Sequence, residues 1–241
     1  MLSAEAVRLL AIETLLPTAA AIAGTGFPTL AKHRVYDSKA APLEDLDRSA
    51  IDGTPVLSLY TLESGFKPRG LASSSGDNVA SAVLEIVAEI AIVNSDDGGE
   101  FADAAETDPA GRLVLAALCS QVRHALMFSE AGASWRRIVR QVEAIDCKTF
   151  AVPELGLRYQ RVAMRLDCSI RDDEFSLDGG LPEPIATIYA RLPEQSYAKA
   201  SLAALVDKFQ PADLPRLEGV DLNKPGSVRG AVVDFPTSSP D

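Results

Sequence analysis

The chain has 241 residues, of which 47% are hydrophobic, so it has enough apolar sequence for a buried core and is not intrinsically disordered. Its formal net charge of −11 argues against a nucleic-acid-binding surface, which needs concentrated basic residues to displace counterions from phosphates. No stretch reaches the roughly 20 apolar residues of a membrane span, and Glu5 and Glu13 interrupt an N-terminal run that lacks a basic leader. We therefore expect neither a membrane span nor a signal peptide.

The first part of the chain predicts a helix, a loop, a short strand and a second loop. Ser3 is a candidate N-cap, and the apolar residues after it recur at helical spacing until Pro17. Residues 18–29 are rich in Ala, Gly and Thr and predict a loop. A short strand is predicted at 32–38, and the polar stretch 39–54 predicts a loop.

The segment 56–63 is largely apolar on both faces, which is typical of a central strand covered on both sides. The segment 64–80 holds glycines, a proline and a serine triplet, and it predicts a long mobile connection. Lys67 and Arg69 are a cationic pair in an acidic chain, and Asp77 lies in the same segment. We take these three as candidate interface residues, although two exposed cations also serve solubility alone.

The strongest pattern in the sequence is strict alternation in two segments, 82–93 and 157–171. Their apolar faces comprise Leu84, Ile86, Ala88, Ile90 and Ile92 in the first, and Val162, Met164, Leu166, Cys168 and Ile170 in the second. Their other faces carry Glu85 and Glu89 in the first, and Arg161, Arg165, Asp167, Ser169 and Arg171 in the second. Two one-sided strands predict an antiparallel sheet covered on one side. Arg161, Arg165 and Arg171 are further interface candidates.

The segment 94–108 is acidic and predicts a second loop, with Asp96, Asp97 and Glu100 among its carboxylates. Pro109 then starts a second helix, since proline is favoured at the first helical position. The apolar stripe of this helix comprises Leu115, Leu118, Val122 and Leu126. After Gly132 the pattern predicts a short helix and then a strand over 142–150, and 153–156 turns the chain into the last strand. Together these elements predict an α+β fold, in which two main helices pack on one face of a mixed or antiparallel sheet.

The chain changes character after Arg171. Prolines recur throughout 172–241, and the one strong helical pattern there lies near 194–208. We therefore divide the chain into a domain at 1–171 and a Pro-rich extension at 172–241. The extension has too little contiguous apolar sequence to fold alone, so we expect it to pack on the main domain or on a neighbouring subunit.

The sequence contains no pattern typical of an active site. The three cysteines are an odd number without CxxC spacing, and we expect buried, reduced thiols, which suits folding in a cytoplasm. His33 and His124 have no ligand-spaced partners, which argues against a metal site. Gly24-Thr25-Gly26 lacks the remainder of a dinucleotide fingerprint. We expect no enzymatic activity, cofactor or metal.

The order of elements resembles the tail terminator proteins of long-tailed bacteriophages, of the kind that caps the lambda tail tube. The resemblance covers about 1–171 and depends on five segments in order. These are the opening helix with Val7, Leu10 and Leu15, the short strand Val35-Tyr36-Asp37, the Pro-led apolar strand 54–60 with the flexible loop after it, the Glu-bearing strand 84–90 and the closing strand 157–166. The chain departs from the small members of that family in its longer loops at 64–80 and 94–108 and in its C-terminal extension.

The resemblance implies a structural subunit of a homohexameric ring on the head-proximal end of a tail tube. Such a ring stops tube polymerisation and offers the attachment surface for the head. It implies a tail tube protein and a neck or head-completion protein as partners, with DNA passing through the lumen without specific binding. Asp96, Asp97 and Glu100 would be lumen or loop residues. The implied location is the virion, and the host cytoplasm during assembly.

Other functions remain open from the sequence. One is a different neck or head-tail joining protein of the same virion. Others are an unidentified enzyme or small-molecule-binding protein, which would need a deep pocket with convergent polar groups, and a cellular interaction module.

Overall fold

The computed structural model describes residues 1–42, 54–68, 70, 78–96, 99–104, 109–152, 157–176 and 179–209, with backbone alone for 92–96, 99–104, 150–152 and 157–160. Within these ranges the helices are α1 (Leu2–Leu15), α2 (Thr18–Ala23), α3 (Pro109–Met127), α4 (Trp135–Ile138), α5 (Ile185–Arg191) and α6 (Tyr197–Val206). The strands are β1 (Val35–Asp37), β2 (Thr54–Pro68), β3 (Asn78–Asp96), β4 (Gly99–Ala104), β5 (Val139–Val152) and β6 (Leu157–Ile170). Short 3₁₀ turns occupy Ala131–Ala133 and Asp207–Phe209.

The strands form one mixed sheet in the order β1-β2-β3-β6-β5, and β4 pairs with the far end of β3. β1 runs parallel to β2, while the other pairs are antiparallel. The register sets Leu59 opposite Ile86, and Ile86 opposite Met164, so the apolar side chains of three strands lie side by side. The predicted α+β fold is therefore confirmed.

Helices cover one face of this sheet, which we call the helix face. Its fully buried residues include Leu57, Leu59, Leu84, Ile86 and Leu166. α1 packs against β1, β2 and β3, and α3 packs against β3 and β6, so the two main helices share one face as predicted. The predicted apolar stripe of α3 is buried at all four positions, Leu115, Leu118, Val122 and Leu126.

The segment after β6 folds onto the same core. Asp173 accepts hydrogen bonds from the backbone N–H groups of Leu2 and Ser3, each at 2.8 Å, and these are two of the free donors at the start of α1. α5 and α6 bury Ile185 and Leu202 in the core cluster to which α1 also belongs. The one helix predicted for this region corresponds to α6, whereas α5 was not predicted.

Two predicted loops are partly strand. β2 continues to Pro68 and β3 begins at Asn78, so both ends of the predicted mobile connection 64–80 are paired. β3 also continues to Asp96 and pairs with β4, so the predicted acidic loop contains a hairpin. A neighbouring strand supplies the hydrogen bonds that hold these polar residues extended, and composition alone does not reveal that partner.

The N-terminal predictions also need correction. Ser3 lies inside α1, and Met1 holds the N-cap position without a side-chain hydrogen bond. The predicted loop 18–29 contains α2, which ends at Gly24 in a left-handed conformation, φ 69°. The predicted strand at 32–38 shortens to β1. The predicted turn at 153–156 and most of the predicted loop at 39–54 lie outside the described residues.

By length and composition alone, the 22 residues Leu2–Ala23 suffice to cross a membrane, with a mean hydropathy of 1.6 in their most apolar window. This corrects the prediction that no such stretch exists. Half of that window is buried inside the protein, and buried core helices and N-terminal signal sequences meet the same criteria. The break between α1 and α2, and an ion pair of Arg8 with Asp37, favour a core helix.

Candidate assembly surface

The face of the sheet opposite the helices, which we call the open face, carries the charged residues of β3 and β6. The register sets Glu89 opposite Arg161 and Glu85 opposite Arg165. Glu89 and Arg161 form an ion pair, in which the guanidinium also donates a hydrogen bond. Cross-strand pairs of opposite charge of this kind stabilise a sheet modestly.

Arg165 is held by two carboxylates of its own chain. Its Nε lies 3.0 Å from Asp167 Oδ1, and one terminal nitrogen lies 3.5 Å from Glu63 Oε1. The hydrogen bond to Asp167 raises the pKa of Arg165, so its charge is fixed at all ordinary pH values. Two predicted interface residues, Arg161 and Arg165, are thus already paired, and a partner would compete with these carboxylates. The third arginine, Arg171, is exposed just beyond β6.

The β2–β3 hairpin continues past the end of β6, and we call this end of it the arm: residues 64–68 of β2 with 78–81 of β3, of which Ala80 and Ser81 still pair with β6. The register shifts between Thr61 and Glu63, so Leu62 is an extra residue in β2 and reverses the facing of everything after it. Phe66 pairs with Ala80 and therefore points to the helix-face side. Lys67 pairs with Val79 and points to the other side.

The arm exposes apolar surface. The side chain of Phe66 is 60% exposed and that of Val79 36% exposed, although both lie on paired strand. Lys67 is exposed and makes no ion pair within the described part of the chain. Predicted interface residues Arg69 and Asp77 lie outside the described residues. We take the exposed Phe66 and Lys67 at this end of the hairpin as a candidate contact surface.

The opposite end of the sheet carries the second hairpin, β3–β4. Asp96 pairs through its backbone with Gly99, and Glu100 pairs with Ser95. Asp97 lies outside the described residues. The predicted carboxylates Asp96 and Glu100 are therefore placed at the end of the sheet away from the arm.

A groove of about 590 Å³ opens between α1, α2, β1 and the start of α6. Its lining is apolar along α1 and α2, where Ile12, Leu16 and Ile22 contribute, and it includes Tyr36 and Tyr197 on the other side. Ile22 is 67% exposed at the rim. A groove of this size falls in the range that small ligands or partner side chains occupy.

Two carboxylates in the groove are hydrogen-bonded. Glu13 accepts from the Thr18 amide at 2.9 Å and from the Ser196 hydroxyl at 2.7 Å. Asp37 accepts from the Tyr197 hydroxyl at 2.8 Å and pairs with Arg8, whose Nε lies 2.8 Å away. Burial, together with the bond to Asp37, raises the pKa of Tyr197. The hydrogen-bond donors to Glu13 among the described residues, Thr18 and Ser196, are neutral, and Lys39 is a cation in the lining of the same groove.

The cysteines and histidines are dispersed. All three cysteines are free, but Cys147 is exposed on β5, which corrects the expectation that every thiol is buried. Burial raises the pKa of Cys119 to about 11 and that of Cys168 to about 12, so both thiols are protonated at neutral pH.

His33 lies just before β1, where its ring makes an edge contact with a phenylalanine, and not in the strand. No three His, Cys, Asp or Glu side chains are grouped to hold a metal ion in the described ranges.

A scan of protein-family models and a search of curated proteins find no match to this chain.

The sequence analysis did not predict the groove or the roles of Glu13 and Tyr197 in it. The sequence did contain one signal that could have revealed the groove. Pro17 precedes and Gly24 follows an Ala-rich run, and this pattern is typical of a short helix. That helix, α2, forms one wall of the groove.

Proposed function

We propose that this chain is a subunit of a tail terminator ring, which caps the tube of a long-tailed bacteriophage at its head-proximal end. The observation that carries the proposal is the arm. An exposed aromatic on a paired strand costs solubility in a monomer, and assembly with another subunit removes that cost.

The two ends of the sheet support the same function. The arm lies at one end and the acidic β3–β4 hairpin at the other, so the subunit has two unlike surfaces. A terminator needs two such surfaces, because it contacts the tube on one side and the neck on the other. The net charge of −11 suits a channel through which DNA passes without binding, since like charges repel.

Tail length is the test of this function. In the virus that carries the gene, loss of the protein should give tails of irregular length that fail to join heads, and supplying the wild-type chain should restore uniform tails. The measurement is the distribution of tail lengths in electron micrographs. A head-tail joining protein would instead give tails of normal, uniform length that remain unattached, and that result would contradict the proposal.

A further inference from the structure

We propose that a cavity between α3 and β5 binds a soft monovalent cation such as Cu(I), with the thiolates of Cys119 and Cys147 and the thioether of Met164 as its ligands. The inference goes beyond the tail terminator function and does not depend on it. It gives a chemical role to two thiols that the terminator function leaves unused.

The cavity gathers most of the sulfur in the chain. Its volume is about 520 Å³, and α3 lines one side while β5 and one residue of β6 line the other. The chain has three cysteines and three methionines, and four of these six residues lie in the lining: Cys119, Met127, Cys147 and Met164. Thiolate and thioether sulfur are the donors that select Cu(I) over harder ions. The composition of the lining therefore points to a soft ion.

Three of these side chains approach from two sides. Cys147 and Met164 are partners in the β5–β6 register, so they lie on the same face of the sheet with Cβ atoms about 4.5–5.5 Å apart. Cys119 reaches the cavity from α3, where it is half-buried. Burial first, and the charge of Cys147 second, raise the pKa of Cys119 to about 11, and the second effect requires the two thiols to be near each other. Met127 lies about 12 Å further along α3 and lines the other end of the cavity.

An ion between the two thiols suits these positions better than a disulfide. A disulfide needs its sulfur atoms about 2.05 Å apart, whereas these cysteines line one cavity from opposite sides. An ion spans a wider gap, because a metal–sulfur bond is about 2.3 Å long and each thiolate makes one. Binding releases two thiol protons to solvent and leaves the oxidation state of the ion unchanged. Two thiolates and Cu(I) carry one negative charge, and Arg123 in the same lining supplies a balancing cation.

The usual signs of a metal site do not apply to a sulfur site. Ligand-spaced histidines indicate zinc, and the described ranges hold no group of three His, Cys, Asp or Glu side chains. A site of two thiols and one thioether contains only two members of that set. Cys147 is exposed, so an ion can reach the cavity from solvent.

The first experiment titrates the reduced full-length chain with Cu(I) against a chromophoric Cu(I) chelator, in ascorbate and without added thiol. The wild-type chain should bind one ion. Cys119→Ser and Cys147→Ser should each weaken binding about a hundredfold or more, since loss of even a supporting partner around a metal costs up to that much. Cys168→Ala is the control, because Cys168 is a buried thiol on β6 outside the described lining, and it should leave the affinity unchanged.

Circular dichroism checks the folding of every variant. An equal loss of affinity in Cys168→Ala would overturn the inference. A loss confined to Cys147→Ser would also overturn it, because it would indicate binding by a single exposed thiol. One ion shared between two chains, seen by sedimentation, would have the same meaning.

The second experiment tests the thioether ligand. Met164→Leu keeps the side-chain volume and removes the sulfur, so it should weaken Cu(I) binding about tenfold. Met127→Leu is the matched control at the other end of the cavity and should have little effect. X-ray absorption of the loaded wild-type chain should show only sulfur neighbours around copper. Nitrogen or oxygen neighbours, or a larger loss in Met127→Leu than in Met164→Leu, would overturn the ligand set.

Discussion

The two faces of the sheet are built from the same strands, but one buries apolar residues and the other carries charged residues. On the helix face, Leu84 and Leu166 are opposite each other and buried from solvent. On the open face, the adjacent residue pair places Glu85 opposite Arg165, and both are partly exposed. Burial of apolar area stabilises the fold, while partly exposed ion pairs contribute little. The partly exposed charged residues of the open face can therefore change in sequence at little cost in stability, and that freedom suits surfaces that recognise partners.

The largest effect is expected on the helix face. Leu166→Asp sets a carboxylate without a partner in the core and should cost several kcal/mol, enough to abolish soluble protein. Leu113→Asp is the matched control, because Leu113 is 73% exposed on α3 and its replacement should fold normally. Soluble yield and thermal unfolding measure both. A soluble, stable Leu166→Asp variant would mean that the strand facing is wrong.

Cysteine reactivity should separate core positions from the sheet edge. At pH 8 a thiol reagent should label Cys147 first and reach Cys119 and Cys168 only slowly, because the thiolate is the reactive form and burial raises the pKa of Cys119 to about 11 and of Cys168 to about 12. Labelling is followed by mass spectrometry. Equal rates at all three positions would contradict the burial.

Cys119 and Cys168 also determine the direction in which stability changes at alkaline pH. Their pKa is raised in the folded state from an ordinary value of 9.0, so the unfolded chain ionises first as pH rises. Their contribution to stability is complete below about pH 9 and is lost as pH rises through about 11 to 12. Alkaline unfolding should therefore move to higher pH in a Cys168→Ala variant, after allowance for the small cavity that this change leaves.

An intermediate effect is expected where the C-terminal segment meets α1. Asp173→Ala leaves the backbone N–H groups of Leu2 and Ser3 without their acceptor, which should cost about 1 kcal/mol, the usual cost of a lost helix cap. Denaturant unfolding measures it. Asp207→Ala, a carboxylate in the last described turn after α6, is a control that should change stability by much less.

The smallest effect is expected on the open face. Arg161→Ala and Glu89→Ala, combined in a double-mutant cycle, should give a coupling of about 0.2 to 1 kcal/mol that weakens with added salt, since the arginine side chain is 37% exposed. A coupling well above this range would show that the open face also stabilises the fold.

Part of the fold follows from local sequence. Three predictions are confirmed: which residues of β3 and β6 face the core, which residues of α3 are buried, and the start of α3 at Pro109. Each of these depends on residues within one or two turns of a helix or pleats of a strand. The strand ends at 64–68 and 78–80 were not predicted, since their glycine, serine and proline favour a loop until a partner strand is present. Of the candidate interface residues, Lys67 is exposed as expected, whereas Arg161 and Arg165 are paired within the chain.

The sequence by itself determined which side of each central strand is buried, because side chains alternate with a period of two and one face must leave water. Only the tertiary structure decided which residues on that side of the strands are nevertheless exposed to solvent. Cys147 lies opposite Met164 and so shares its facing, yet it is exposed, because the covering helices pack on β3 and β6 and leave this part of β5 in water. The groove is likewise tertiary, since Glu13 and Ser196 meet across 183 positions of sequence. Long-range contacts of this kind depend on how whole elements pack, and no local pattern records them.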